Sequence, residues 1–157
     1  MSVMDVLNDK VAQELLNSRE LAKLAYNWTD GTPRVVPVWF HWDGREIVMG
    51  TPGTAPKVKA LEARPDVALT IDTTSWPHHV LIIRGVAKVE HMAHVVPEYA
   101  LAAERYFGPE QGPAWVRQAG GLLKDWARVA VTPKEARVID FDTRWPSAIA
   151  RAMAAQG

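Results

Sequence analysis

The pair Asp43-Gly44, set between two apolar runs, constrains this chain more than any other feature of it. Upstream, Val35, Val36, Val38, Trp39 and Phe40 crowd the stretch from Arg34 to Trp42, and downstream Ile47, Val48 and Met49 fill Arg45 to Gly50. Glycine accepts the positive φ of a two-residue hairpin turn, so Asp-Gly between such runs predicts two antiparallel neighbours. A second turn, Thr29-Asp30-Gly31-Thr32-Pro33, joins the same strand to an apolar-rich first strand over Leu21 to Trp28. Successive hairpins rule against a parallel doubly wound sheet, whose strands need long crossovers. No GxGxxG follows any of these strands and no P-loop motif is present. The pattern predicts a mainly β chain with a few helices, built as a small antiparallel barrel.

The remaining segments fit around that sheet. Leu7, Val11 and Leu15 recur every four residues and predict one helix over Met4 to Leu16, within an N-terminal segment 1–18. Arg34 to Trp42 has apolar residues on both faces, so neither face is expected to be fully wet. Pro37 lacks an N–H, which predicts a gap in its ladder. After the loop Thr51-Pro52-Gly53-Thr54, Thr54 is the expected cap of a short helix with Pro56 in its first turn. That helix runs to about Ala63 and stops before Pro65. Val67 to Ile71 and Val80 to Glu90 read as strands, with Gly85 as a bulge or a point of close approach. A helical insertion, 92–124, is expected to become helical at His94 and to hold two helices separated by Gly108 to Pro113. Arg128 to Val131 and Ala136 to Phe141 read as two last strands joined at Thr132-Pro133, and the tail 144–157 is alanine-rich and helical. No repeat or linker interrupts the chain, so 1–157 is expected to be one domain.

Composition then removes several functions. There are 18 basic and 18 acidic side chains, so the basic excess that duplex nucleic acid requires is missing, and seven tryptophans do not replace it. With no cysteine, disulfides, thiolate catalysis and cysteine-bound metal are excluded. His91 and His94 lack a third ligand at recognisable spacing, and His78-His79 reads as loop, so no metal site is expected. Asp140 and Asp142 end a strand and suit a turn rather than a catalytic pair. Met1 to Asp5 carries an acid and no apolar core, and no apolar run reaches the ~20 residues of a membrane helix. The expectation is a cytoplasmic protein without membrane or nucleic-acid partners.

The chemistry concentrates in Thr51 to Pro65, TPGTAPKVKALEARP. Lys57 and Lys59 fall in the first turns of a helix that follows a glycine-bearing loop. Helix-start amides, a threonine hydroxyl and two ammonium groups together suit a phosphate, although the same residues also fit a solvated helix face. Val36-Pro37-Val38-Trp39 could serve as an apolar wall for a planar ring, with carbonyls freed by Pro37, or simply as a packed barrel strand.

The order of these pieces carries a resemblance. It runs from Gly31-Thr32-Pro33 through the strand Pro37 to Gly44 and Gly50-Thr51 to the lysine-bearing helix. It continues through Leu61, Arg64 to Asp72 and Val80 to Glu90. The chain resembles the pyridoxamine 5′-phosphate oxidase-like flavin-binding split barrels, in the branch of flavin- and deazaflavin-dependent oxidoreductases. The likeness spans roughly Leu21 to Glu90 and Trp126 to Pro146. It implies a six- or seven-stranded antiparallel split β-barrel, paired as a homodimer with two cofactor sites in the interface. It implies FMN, or the deazaflavin coenzyme F420, transferring hydride or electrons to or from a small organic substrate. The backbone of Val36, Pro37, Val38 and Trp39 would meet the ring, Thr51, Lys57 and Lys59 the phosphate, and Trp126 or Arg128 would come from the partner. The ending TRWPSAIARAMAAQG lacks the arginine-rich C-terminal segment with which the vitamin oxidases grip their substrate. The competing reading is a non-catalytic dimeric module that holds flavin, haem or a bile pigment.

Overall fold

In the computed structural model, which describes residues 1–157, one stretch of chain forms both edges of the sheet. The strands are β1 (Ala22–Asn27), β2 (Pro33–Val38), β3 (His41–Trp42), β4 (Ile47–Pro52), β5 (Asp66–Asp72), β6 (Val80–Met92) and β7 (Trp126–Ile139). The helices are α1 (Val3–Leu7), α2 (Lys10–Leu16), α3 (Pro56–Ala63), α4 (Pro97–Phe107), α5 (Gln111–Leu122) and α6 (Ser147–Ala155). All seven strands are antiparallel, in the order β2-β1-β5-β6-β7-β4-β3. Since only Trp39-Phe40 separates β2 from β3, the two ends of the sheet are brought together and the sheet closes as a barrel. The closure is partial. β3 pairs with β4 only through His41–Val48 and Trp42–Ile47. Beyond those pairs β2 and β4 diverge, which makes the split.

Both hairpin turns form as expected, with Gly31 at φ 86° and Gly44 at φ 95°. Asp43 fixes the second by accepting hydrogen bonds from the amides of Arg45 and Glu46. The barrel interior is a continuous cluster that includes Leu24, Phe40, Ile47, Met49, Leu69, Ile71, Leu81, Ile83, Val129 and Val131. Leu7, Leu15 and Leu16 join it from α1 and α2.

Several expectations are corrected. The N-terminal helix is two, because Asp9 accepts hydrogen bonds from the amides of Val11 and Ala12 and starts a second helix of its own. The Arg34 to Trp42 strand breaks at Trp39-Phe40. Its first half is a wet edge, with Val35 66% exposed, because β2 has a neighbour on one side only. Pro37 leaves no gap: it lies opposite Lys23 within the ladder. Two-residue alternation counted from the Trp28 N–H bond to Thr32 turns the missing N–H of Pro37 away from β1. Ala55, not Thr54, is the N-cap of α3, and no side chain caps it. The first helix of the insertion starts at Pro97 rather than at His94, because β6 continues to Met92 opposite Trp126. The last two strands are one, since Pro133 stands opposite Gly85 at a register shift of β6 where no ladder N–H is required of it. The extra residue at that shift is Lys134 of β7, and a Cβ on Gly85 would overlap the Thr132 carbonyl oxygen, so the close approach expected there needs glycine. No helix is long and apolar enough to cross a membrane.

Candidate functional site

The groups singled out for phosphate lie on either side of the loop that joins β4 to α3. Thr51 is the penultimate residue of β4 and is buried, yet its hydroxyl has no hydrogen-bond partner in the chain. Lys57 stands at the second position of α3, half-buried, with neither a hydrogen bond nor an ion pair. Its amide also has no backbone acceptor, as expected in the first turn of a helix. Burial holds the Lys57 ammonium below the ordinary lysine range. Lys59 follows on the same helix and is exposed. An unengaged threonine hydroxyl at the strand end and, at the helix start, a free amide and an unpaired cation are donors without an internal acceptor, which is the chemistry of an anion site.

The loop between them is braced by residues far away in sequence. The Gly53 amide donates to the Asp125 carbonyl at 2.9 Å, and the Asp125 carboxylate rests so close that a Cβ on Gly53 would overlap it. His91 lies between Asp125 (3.4 Å) and Glu62 of α3 (3.5 Å). Hydrogen bonding to Asp125 and then to Glu62 raises the His91 pKa. This brace could not be read from spacing, because its members belong to α3, β6 and the approach to β7.

The candidate ring wall lies across the split from β4. The alternation that turns Pro37 outward leaves the Val35 amide and the carbonyls of Pro33, Val35 and Pro37 unpaired on the free edge of β2. Val38 is buried in the barrel and Val36 packs partly against it. Trp39 points the other way, into an aromatic group on α4. It stacks on Tyr106 at 5.2 Å and meets Phe107 at 4.8 Å and Tyr99 at 5.6 Å. Trp42 is buried in the barrel core.

Trp126 and Arg128 lie on the outer face of β7, under α4. Trp126 is 2% exposed and its indole N–H donates to the Leu123 carbonyl at 3.1 Å. Arg128 donates to both oxygens of Glu98, at 3.1 and 2.9 Å. The pairing holds the Glu98 carboxyl below its ordinary value and raises Arg128. Glu98 thus joins the neighbourhood of the site although its sequence position gave no sign of it. His78 is tied to the Thr73 carbonyl at 3.1 Å and His79 lies 3.6 Å from Glu14, and no group of three metal-ligating side chains forms.

Comparison with known proteins places this geometry in context. A family model described as pyridoxamine 5′-phosphate oxidase matches residues 9–140. An F420 reductase of known structure is 26% identical with a TM-score of 0.64, over 80% of this chain and 94% of that one. A conserved hypothetical protein from Mycobacterium tuberculosis is 22% identical with a TM-score of 0.67, over 88% of each chain. The heme storage protein HutZ from Vibrio cholerae is 17% identical with a TM-score of 0.59, over 80% of this chain and 90% of that one. At these last two identities the likeness is one of fold. No curated protein matches the sequence.

Proposed function

The chain belongs to the pyridoxamine 5′-phosphate oxidase family, and from that premise we propose that it is an oxidoreductase using FMN or its deazaflavin relative F420. The observation that carries the reading is Lys57, a half-buried ammonium without a partner at the start of α3, beside a strand end whose Thr51 hydroxyl is equally unengaged. Leaving such a cation unpaired works against the folded chain, and a bound phosphate would reverse that. The residues present therefore fit the phosphate that both cofactors carry.

Thr51, Lys57 and Lys59 hold the phosphate in this proposal. In the stretch from Val36 to Trp39, the free edge of β2 offers the ring the Pro37 carbonyl, with the Val35 amide and carbonyl beside it, while Val36 and Val38 turn their backbone groups to β1. When bound, the cofactor supplies the hydride or electron transfer. The chain binds the phosphate, orients the ring and excludes water. Family members are commonly dimeric, and the proposal places two sites between two copies. Trp126 is closed within its own chain, so Arg128, with 23% of its side chain exposed, has more surface to present to a second copy. The likeness to an F420 reductase keeps the deazaflavin beside FMN as a candidate.

Titrating the purified chain with FMN and F420 in parallel tests this, read by ring absorbance and tryptophan quenching. Saturable binding of one of them is expected. Failure of both to bind removes the oxidoreductase reading while leaving the barrel intact.

A further inference from the structure

On the outer face of β4 the chain encloses a second space, unrelated to the phosphate-binding residues. Strand alternation points Gly50 and Pro52 to the side opposite Thr51. There α4 and α5 cross the strand, and Tyr99 lies so close that a Cβ on Gly50 would be 2.7 Å from its Cβ. The result is a cavity of about 300 Å³. Its walls are the rings of Tyr99, Trp115 and Trp126 with Pro52, Leu122 and Leu123. That volume is at the lower end of small-molecule sites, which span roughly 300–1,000 Å³.

The polar atoms of the cavity are few and their bonding is informative. The Trp126 N–H is spent on the Leu123 carbonyl. The Trp115 N–H donates to the Tyr99 hydroxyl at 2.8 Å. Tyr99 therefore accepts one hydrogen bond and donates none, and its hydroxyl proton has no acceptor anywhere in the chain. Trp115 also holds the ring of Tyr99 in place. An apolar aromatic cavity with a single oriented O–H donor selects for shape and for one acceptor. The larger cavity beside His41, Glu104 and Arg105 is different in kind: its lining is mostly polar, and its Arg105 is already bound to the carbonyls of Ser18 and Phe40.

We propose that the cavity between α4, α5 and β4 binds a small planar aromatic molecule carrying one acceptor oxygen, which takes its hydrogen bond from Tyr99. The aromatic ring lies among Trp115, Trp126 and Pro52. Leu122, 71% exposed at the end of α5, stands at the mouth. This site does not depend on the bound cofactor: none of Thr51, Lys57 or Lys59 lines it.

The test uses two probes of one shape, acetophenone and ethylbenzene, added to the full chain without cofactor. The indole N–H resonances of Trp115 and Trp126 report binding, and calorimetry gives affinities. Acetophenone is expected to shift both resonances and to bind more tightly than ethylbenzene. Tyr99→Phe should weaken acetophenone about fivefold to tenfold, the value of one hydrogen bond of about 1–1.4 kcal/mol, and leave ethylbenzene unchanged. Ala119→Leu, which fills the cavity from α5, should abolish binding of both. Should that variant fail to fold, the two probes on the wild type and on Tyr99→Phe decide alone. No shift of either indole at millimolar acetophenone, as would follow if a second copy of the chain filled the cavity, overturns the proposal. So does equal weakening of both probes by Tyr99→Phe.

Discussion

Replacing Lys57 and Lys59 together by alanine is expected to weaken FMN binding about 100-fold while leaving the chain folded. The estimate takes about 1.5 kcal/mol for each charge-assisted contact to the phosphate, and each 1.4 kcal/mol is a factor of ten. Stability should not fall with affinity. Lys57 has no partner to lose, burial already disfavours its charge, and alanine is the better helix former. The unliganded variant should therefore melt at or slightly above the wild-type temperature. Calorimetric titration with FMN and thermal unfolding of the same preparations measure the two effects separately. A folded double variant that binds FMN as the wild type does would remove the phosphate site from α3.

The second large effect is on stability. Asp140, 7% exposed, ends β7 and gathers the turn that follows. One carboxylate oxygen accepts the amides of Asp142, Thr143 and Arg144, and the other accepts the Thr143 hydroxyl and the Arg144 guanidinium. Arg144 reaches on to Asp9, the N-cap of α2, at 2.8 Å. The carboxylate also holds the turn in which Phe141 has φ 54°, a left-handed conformation unfavourable to a bulky residue. Asp140→Ala leaves three amides and the Thr143 hydroxyl without their acceptor and takes one of the two partners of Arg144, and should cost about 3 kcal/mol, or about 10 °C in melting temperature.

The same group gives a pH signature. Burial pushes the Asp140 carboxyl up, but the Thr143 hydroxyl and the amides of Arg144, Asp142 and Thr143 outweigh it and hold the group far below the ordinary carboxylate range. Its contribution is therefore complete above the unfolded value of about 3.9 and disappears as pH falls toward the folded value. Urea unfolding at successive pH values should show the wild type losing stability on acidification more steeply than Asp140→Ala. Parallel curves would contradict the role given to this carboxylate.

Local chemistry made much of this chain legible. Both Asp-Gly turns and the turn held by Asp140 depend on residues within a few positions of one another. The errors arose where a distant partner decides the outcome. Pro133 reads as a strand terminator until Gly85 of β6 is found opposite it. Arg34 to Trp42 reads as a two-sided buried strand, yet only the topology shows that its first half is the edge of the sheet. At the site, the lysines and Thr51 could be named because one strand and one helix carry them. The Glu98 partner of Arg128, the brace of His91 with Glu62 and Asp125, and the closure of Tyr99 over Gly50 all join elements distant in the chain. No periodicity reports such contacts. The resemblance compensated in part, since the family fold already contains the pairing that spacing cannot give.

The central claim is that the start of α3 holds the phosphate of a redox cofactor. Comparing FMN with riboflavin on the wild-type chain tests it most directly, because the two differ only in that phosphate. FMN is expected to bind at least about 100-fold more tightly, a difference of about 3 kcal/mol. Equal affinities for the two would contradict it, for the phosphate would then lie outside the reach of Thr51, Lys57 and Lys59.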